Sequence, residues 1–220
     1  MPEETKKLGR GRPVTTDPKA VGITALRLFS EHGIDQITMD QVAEAAGISR
    51  SNLFRVFPSK AAVVWGGMHL FRTELEKNLL NDSSSSVVQL LHGSWVETMH
   101  MADNSLETVR LRLKLIGSSP EVNGWGQGQL EMARQVLEDA VSRLGGGKLQ
   151  AKAVSAAMLS ASMAILIWWA ETDDPRTPSQ VLDAGFSDFE ELLASRKPPV
   201  FGGLFDPSHG IASRLAPSGF

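Results

Sequence analysis

Apolar side chains recur at spacings of three and four through most of this chain, the period of helices with one buried face, and no stretch alternates convincingly with period two. Asp17-Pro18 supplies an N-cap followed by a proline at the first helical position. Val21, Ile23, Ala25, Leu26, Leu28 and Phe29 follow, and Gly33 stands where a glycine C-cap belongs. A second helix opens at Thr38, whose spacing to Gln41 reads as a capping box; Val42, Ala45 and Ala46 are its expected buried side and Gly47 ends it. A third, short helix opens at Ser49, buries Leu53 and Phe57 and stops at Pro58. Ser59 caps a long fourth helix expected to run to about Asn81. Beyond a serine linker, the pattern predicts helices over Val87–Met101, Ser105–Ile116, Gln129–Leu144, Leu149–Glu171 and Ser179–Ser195, with residues 120–128 a loop that carries Trp125. The expected fold is all-α.

The ends read differently. Residues 1–16 are polar and punctuated by Gly and Pro, a flexible basic arm, and residues 196–220 carry four prolines and four glycines, a disordered tail. Between them, residues 17–62 and 63–195 are expected to form two units. The net charge of −3 hides a split: residues 1–60 hold nine Lys/Arg against seven Asp/Glu, whereas residues 61–220 hold 13 against 18. A mildly basic head on an acidic body suits a nucleic-acid contact confined to one end. The absence of cysteine removes disulfides, thiolate nucleophiles and cysteine-ligated metals. The 18 residues from Ala153 to Ala170 carry no charge, but serines and alanines dilute them and acidic residues follow. A buried helix of a cytoplasmic protein is expected there, and no membrane partner.

Two short helices joined at Gly47, the second opening with polar and basic residues, have the form of a DNA-reading helix pair. Ala43 and Ala46 let the helices approach, while Ile48, Leu53 and Phe57 anchor the second from behind. Arg50, Ser51, Asn52 and Arg55 are left to face major-groove base edges. Residues 20–68, and above all the stretch ALRLFSEHGIDQITMDQVAEAAGISRSNLFRVFPSKAAVV, resemble the DNA-binding domain of the TetR family of transcriptional regulators. The resemblance implies a three-helix helix-turn-helix head, a helical effector-binding and dimerisation domain, a homodimer, and a palindromic double-stranded DNA operator. It gives Thr38, Ser49 and Lys60 phosphate-contacting roles. Phe54 stands where the family usually has a DNA-contacting tyrosine, Val56 where a polar ring is common, and Asn52 where threonine is common. In the arm, Arg10-Gly11-Arg12-Pro13 resembles the core of an AT-hook, in which arginines enter a narrow A·T minor groove.

In the body, Ala153, Ala156, Ala157, Ser160, Ala161 and Ala164 form a stripe of small residues suited to a helix-bundle dimer interface. Trp95, Met99, Trp125, Met132, Met158 and Trp168 are the candidates to line an effector cavity, with Trp125 as a roof and Arg110, Arg112 and Lys114 as a basic lip. The segment FPSKAAVVWGGM is similar to a TetR subgroup with acyl-CoA-like effectors, so an apolar or acyl-CoA-like effector is expected. Gly66-Gly67 inside the fourth helix marks a soft point where the head is free to swing. The five histidines lack metal-ligand spacing, and nucleophile-elbow, P-loop and dinucleotide motifs are absent. No metal, cofactor or catalytic residue is expected. The resulting expectation is a repressor released by its effector; the alternative is a helical ligand-binding module or adaptor with a weakened DNA-binding head.

Overall fold

A computed structural model describes residues 17–84 and 86–194 of the chain. The arm and the tail, with Arg10 and Arg12, lie outside the described residues. Among those described there are ten α-helices and no strand. The head holds α1 (Pro18–His32), α2 (Met39–Ala45), α3 (Arg50–Val56) and α4 (Lys60–Val64). The body holds α5 (Met68–Asn81), α6 (Val87–Asp103), α7 (Leu106–Ser118), α8 (Pro120–Arg143), α9 (Lys148–Glu171) and α10 (Pro178–Ala194).

Side-chain caps start the head's helices where the pattern predicts. Asp17 accepts from the Lys19 amide, Thr38 and Gln41 complete a reciprocal capping box, and Ser49 and Ser59 each accept from the amide three residues on. Gly47 takes φ +65°, the left-handed turn that a Cβ would strain. Val21, Ala25, Leu26, Phe29, Val42, Ala43 and Leu53 then close one buried cluster. Of the alanines expected inside α2, Ala45 is exposed and Ala46 half-buried; Ala43 takes the buried position, since it shares a face with Val42 toward α1.

Two expected helix extents fail, both at the junction of head and body. The long fourth helix is broken: α4 stops at Val64, Gly67 adopts φ +91°, and α5 starts afresh at Met68. Residues 120–128 are helix rather than loop, because Ser119 caps the Val122 amide and Pro120 fills the first turn of α8. Gly124, Gly126 and Gly128 obscure that signal, each costing about 1 kcal/mol inside a helix. Part of the reason is tertiary. A Cβ at Gly126 would lie 2.0 Å from the ring of Trp65, so the glycine is the notch into which that indole fits.

The body buries a second cluster that includes Trp95, Leu137, Trp169, Leu182 and Phe186. Here α9 packs on α7, α8 and α10, and α6 lies between α5 and α10. His92 joins α6 to α10, its ring nitrogens 3.0 Å from Glu190 and 2.9 Å from Asp183. By length and composition α9 also passes as a membrane span, with mean hydropathy 1.7 over its most apolar window, 39% of which is buried. Its stripe of small residues, Ala153, Ala156, Ala157, Ser160 and Ala164, faces outward, with Ala161 half-buried.

Candidate nucleic-acid interface and ligand cavity

The turn at Gly47 sets α3 against α2, with the Ile48 amide donating to the Ala43 carbonyl at 3.0 Å. Leu53 and Phe57 hold α3 from behind, and Arg50, Ser51, Phe54 and Arg55 are exposed, with Asn52 half-buried. Thr38 and Ser49 sit at the helix starts as expected, their hydroxyls accepting at 3.2 Å from the Gln41 and Asn52 amides. Lys60 is more committed than its sequence position implies. Its ammonium donates to the carbonyls of Ile34, at 2.7 Å, and Asp35, tying α4 to the turn between α1 and α2. Asp40 is the residue that pattern reading passed over: it stands 2.9 Å from Arg50, ten positions along the chain. The sole signal for it was a carboxylate in the first turn of α2.

One recess of the body lies away from the large apolar side chains expected to line an effector cavity. About 420 Å³ opens between the end of α4, α8 and α9. Leu130 of α8 and Leu159, Met163 and Ile167 of α9 are its apolar wall, and Asn123, Gln127, Glu131 and Arg134 line the polar side of α8. None of the six expected lining residues borders it. Trp95, Met99 and Met158 are packed into the core, Trp95 edge-on to Phe71 at 5.5 Å. Trp125, Met132 and Trp168 are exposed. Residue type alone does not separate cavity from core, and Trp125 was placed from a loop that is in fact helix.

Nor do the three basic residues of α7 form a lip. Arg112 is half-buried, and its guanidinium donates to the carbonyls of Val63, Val64 and Gly66 at the end of α4, the Val63 carbonyl accepting also from the Gly66 amide at 3.1 Å. Burial pulls its pKa down to about 10. Arg110 donates to the carbonyls of Trp169 and Asp174 and lies 4.0 Å over the Trp169 ring, while Lys114 is 2.9 Å from Asp173. Arg134, on the cavity wall, is taken by Glu131 and Glu138.

Trp65 connects the two regions. It follows α4 directly, is buried, donates its ring N–H to the Val122 carbonyl at 2.8 Å and forms part of the cavity wall. Among the described residues no group of three or more His, Asp or Glu is arranged to hold a metal.

Residues 24–64 match the family model described as bacterial regulatory proteins, tetR family, and residues 85–194, half of the chain, match the MftR C-terminal domain. The chain belongs to the TetR family. It is a DNA-binding transcriptional regulator, and its family and relatives are regulators rather than enzymes. MftR of Mycobacterium tuberculosis, named for transcriptional regulation of mycofactocin biosynthesis, is 28% identical over 190 residues, covering 84% of this chain and 94% of that protein. RutR of Escherichia coli K12 is 43% identical over 54 residues, 24% of this chain and 26% of its own. Among solved structures, a fatty acid degradation regulator, FadR of Bacillus halodurans, superposes with TM-score 0.61 at 14% identity over 77% of this chain and 92% of that one. The Thermus thermophilus FadR repressor in complex with lauroyl-CoA gives 0.54 at 18% identity, over 85% and 100%. These structural likenesses concern the TetR fold.

Proposed function

We propose that this TetR-family regulator is a cytoplasmic homodimeric repressor, bound to a palindromic operator and released by a small apolar or acyl-CoA-like effector. The observation that carries the reading is Trp65, one side chain that both ends the head's last helix and walls the body's cavity. A ligand entering between α8 and α9 presses on that indole. Displacing it pulls on the Gly66-Gly67 break, and the two heads of a dimer lose the spacing of roughly 34–36 Å that one DNA turn requires. Moving such an equilibrium from 99:1 to 1:99 takes about 5.5 kcal/mol of differential effector affinity.

In this reading residues 17–62 work as the head and residues 63–195 as the body. Arg50, Ser51, Asn52 and Arg55 face bases, Phe54 lies at the DNA surface beside them, Thr38, Ser49 and Lys60 meet phosphates, and Arg10 and Arg12 probe the flanking minor groove. The outward-facing Ala153, Ala157 and Ala164 of α9, with exposed Leu149 and Trp168, support a two-fold helix-bundle interface, while Ala156 and Ser160 of the stripe line the cavity. The effector class is supported by the lauroyl-CoA held by the Thermus FadR, which shares this fold. The test is selection of bound sequences from random DNA at moderate salt, then titration of the selected complex with lauroyl-CoA and with free fatty acid. A palindrome with A·T-rich flanks, released by either ligand in wild type and retained in Trp65→Ala, is the expected result. No enrichment at low salt, or release that ignores Trp65, would overturn it.

A further inference from the structure

Arg50 is held from two directions before any DNA arrives. It is the first residue of α3, Asp40 is the second of α2, and the turn at Gly47 brings them together so that Arg50 Nη1 donates to Asp40 Oδ2 at 2.9 Å. One helical turn further along α3, the Phe54 ring lies under the guanidinium, 5.4 Å from its central carbon. All three side chains are exposed on the side of the helix pair that carries Ser51 and Arg55.

An exposed ion pair does little for stability. A carboxylate on a DNA-facing surface also opposes the phosphate field, which lowers affinity for any sequence. The pair's physical consequence is orientational. Arginine carries five donors in a planar fork, and its flexible stem loses much freedom when it binds. Asp40 occupies one donor, the Phe54 face supports the plane through cation–π attraction, and the opposite edge of the fork stays free. That edge matches guanine O6 and N7 in the major groove.

We propose that Asp40 and Phe54 are positioning residues that preset Arg50 to read one guanine, so that three side chains from two helices determine a single operator base pair. The proposal rests on Arg50 facing bases. It also accounts for Phe54 without a hydroxyl: its ring face is what Arg50 uses.

The experiment compares full-length wild type, Asp40→Ala, Arg50→Ala and the double variant on the selected operator and on all single-base-pair changes of it, at one salt concentration. Phe54→Ala and Phe54→Tyr complete the set, and thermal melts check that each variant is folded. Arg50→Ala is expected to reduce preference for one G·C pair by roughly 10- to 100-fold. Asp40→Ala should reduce preference at that same pair several-fold while raising affinity for non-specific DNA, and should change nothing further when Arg50 is already alanine. Phe54→Tyr should keep the preference and Phe54→Ala should lose it. If Asp40→Ala keeps the full preference, or its effect persists in the Arg50→Ala background, the positioning role falls and the DNA-reading role of Arg50 stands. If Arg50→Ala weakens all sequences alike, the base-reading role falls and the inference falls with it.

Discussion

In the head, Asp17, Thr38, Ser49 and Ser59 each place a side-chain oxygen on a backbone N–H of the helix they open; in the body, Ser86, Ser119 and Thr177 do so for α6, α8 and α10, but α5, α7 and α9 begin with no side-chain cap. Three of the head's four helices are short, α2 and α3 with seven residues apiece and α4 with five, too few to persist by propensity, so their ends must be chemically specified. The body's helices run to 24 residues and are held by the faces they bury. Local specification leaves a mark on the sequence, whereas mutual packing leaves little beyond the helical period. Between the two lies a joint that belongs to both. Leu115, Ile116 and Val122 of the body complete the head's buried cluster, Arg112 closes the end of α4, and Trp65 reaches into α8.

The sharpest way to break this contrast is at the joint. Replacing Arg112 by Met leaves the carbonyls of Val64 and Gly66 without the donor that Arg112 supplies, at a cost of roughly 3 kcal/mol read by urea unfolding. Lysine, a point charge without the planar fork, should recover only part of it. Retention of full stability by Arg112→Met would show that the head carries α4 unaided.

Gly126→Ala comes next. Its Cβ would collide with the Trp65 ring at 2.0 Å, so the indole must leave its notch; we expect a loss of about 1–3 kcal/mol and weakened operator binding without any effector. Gel-shift titration and Trp65-dependent fluorescence check this, and unchanged operator affinity with a displaced indole would uncouple cavity from head. Smaller still is Gly67→Ala, about 1 kcal/mol from backbone strain at φ +91°, since its Cβ would meet nothing within 4 Å. A thermal melt reads it.

The smallest effect lies in the turn after α9. A Lys114 hydrogen bond holds the Asp173 carboxyl below its ordinary range, and Arg176 lowers Asp174 from 3.8 to about 2. Both pKa values are depressed on folding, so their stabilisation is present at neutral pH and is lost as pH falls from about 3.8 toward 2. Amide exchange of the turn across that window should accelerate before the head responds.

The helix-turn-helix was legible because its signals are local. Thr38 and Gln41 are three residues apart, Gly47 fills a turn that excludes a Cβ, and Ser49 starts α3 whatever the body does. The break after Val64 was half legible: the paired glycines announced a weak point, but a helix end also needs takers for its carbonyls, and Arg112 arrives from 48 residues away. Asp40 looked like an ordinary first-turn acid until the fold set it beside Arg50.

The recess beside Trp65 was not legible. Trp95, Met99 and Met158 have the chemistry of a ligand pocket and the position of a core, because apolar side chains serve both and only packing distinguishes a filled space from an empty one. The order of amino acids was enough for the helix starts of the head and for its turn at Gly47, which depend on neighbours a few residues away. Where α4 ends, why Gly126 lacks a side chain, and which residues surround the cavity depend on groups distant in the chain, and those became fixed only when α7, α8 and α9 packed against the head.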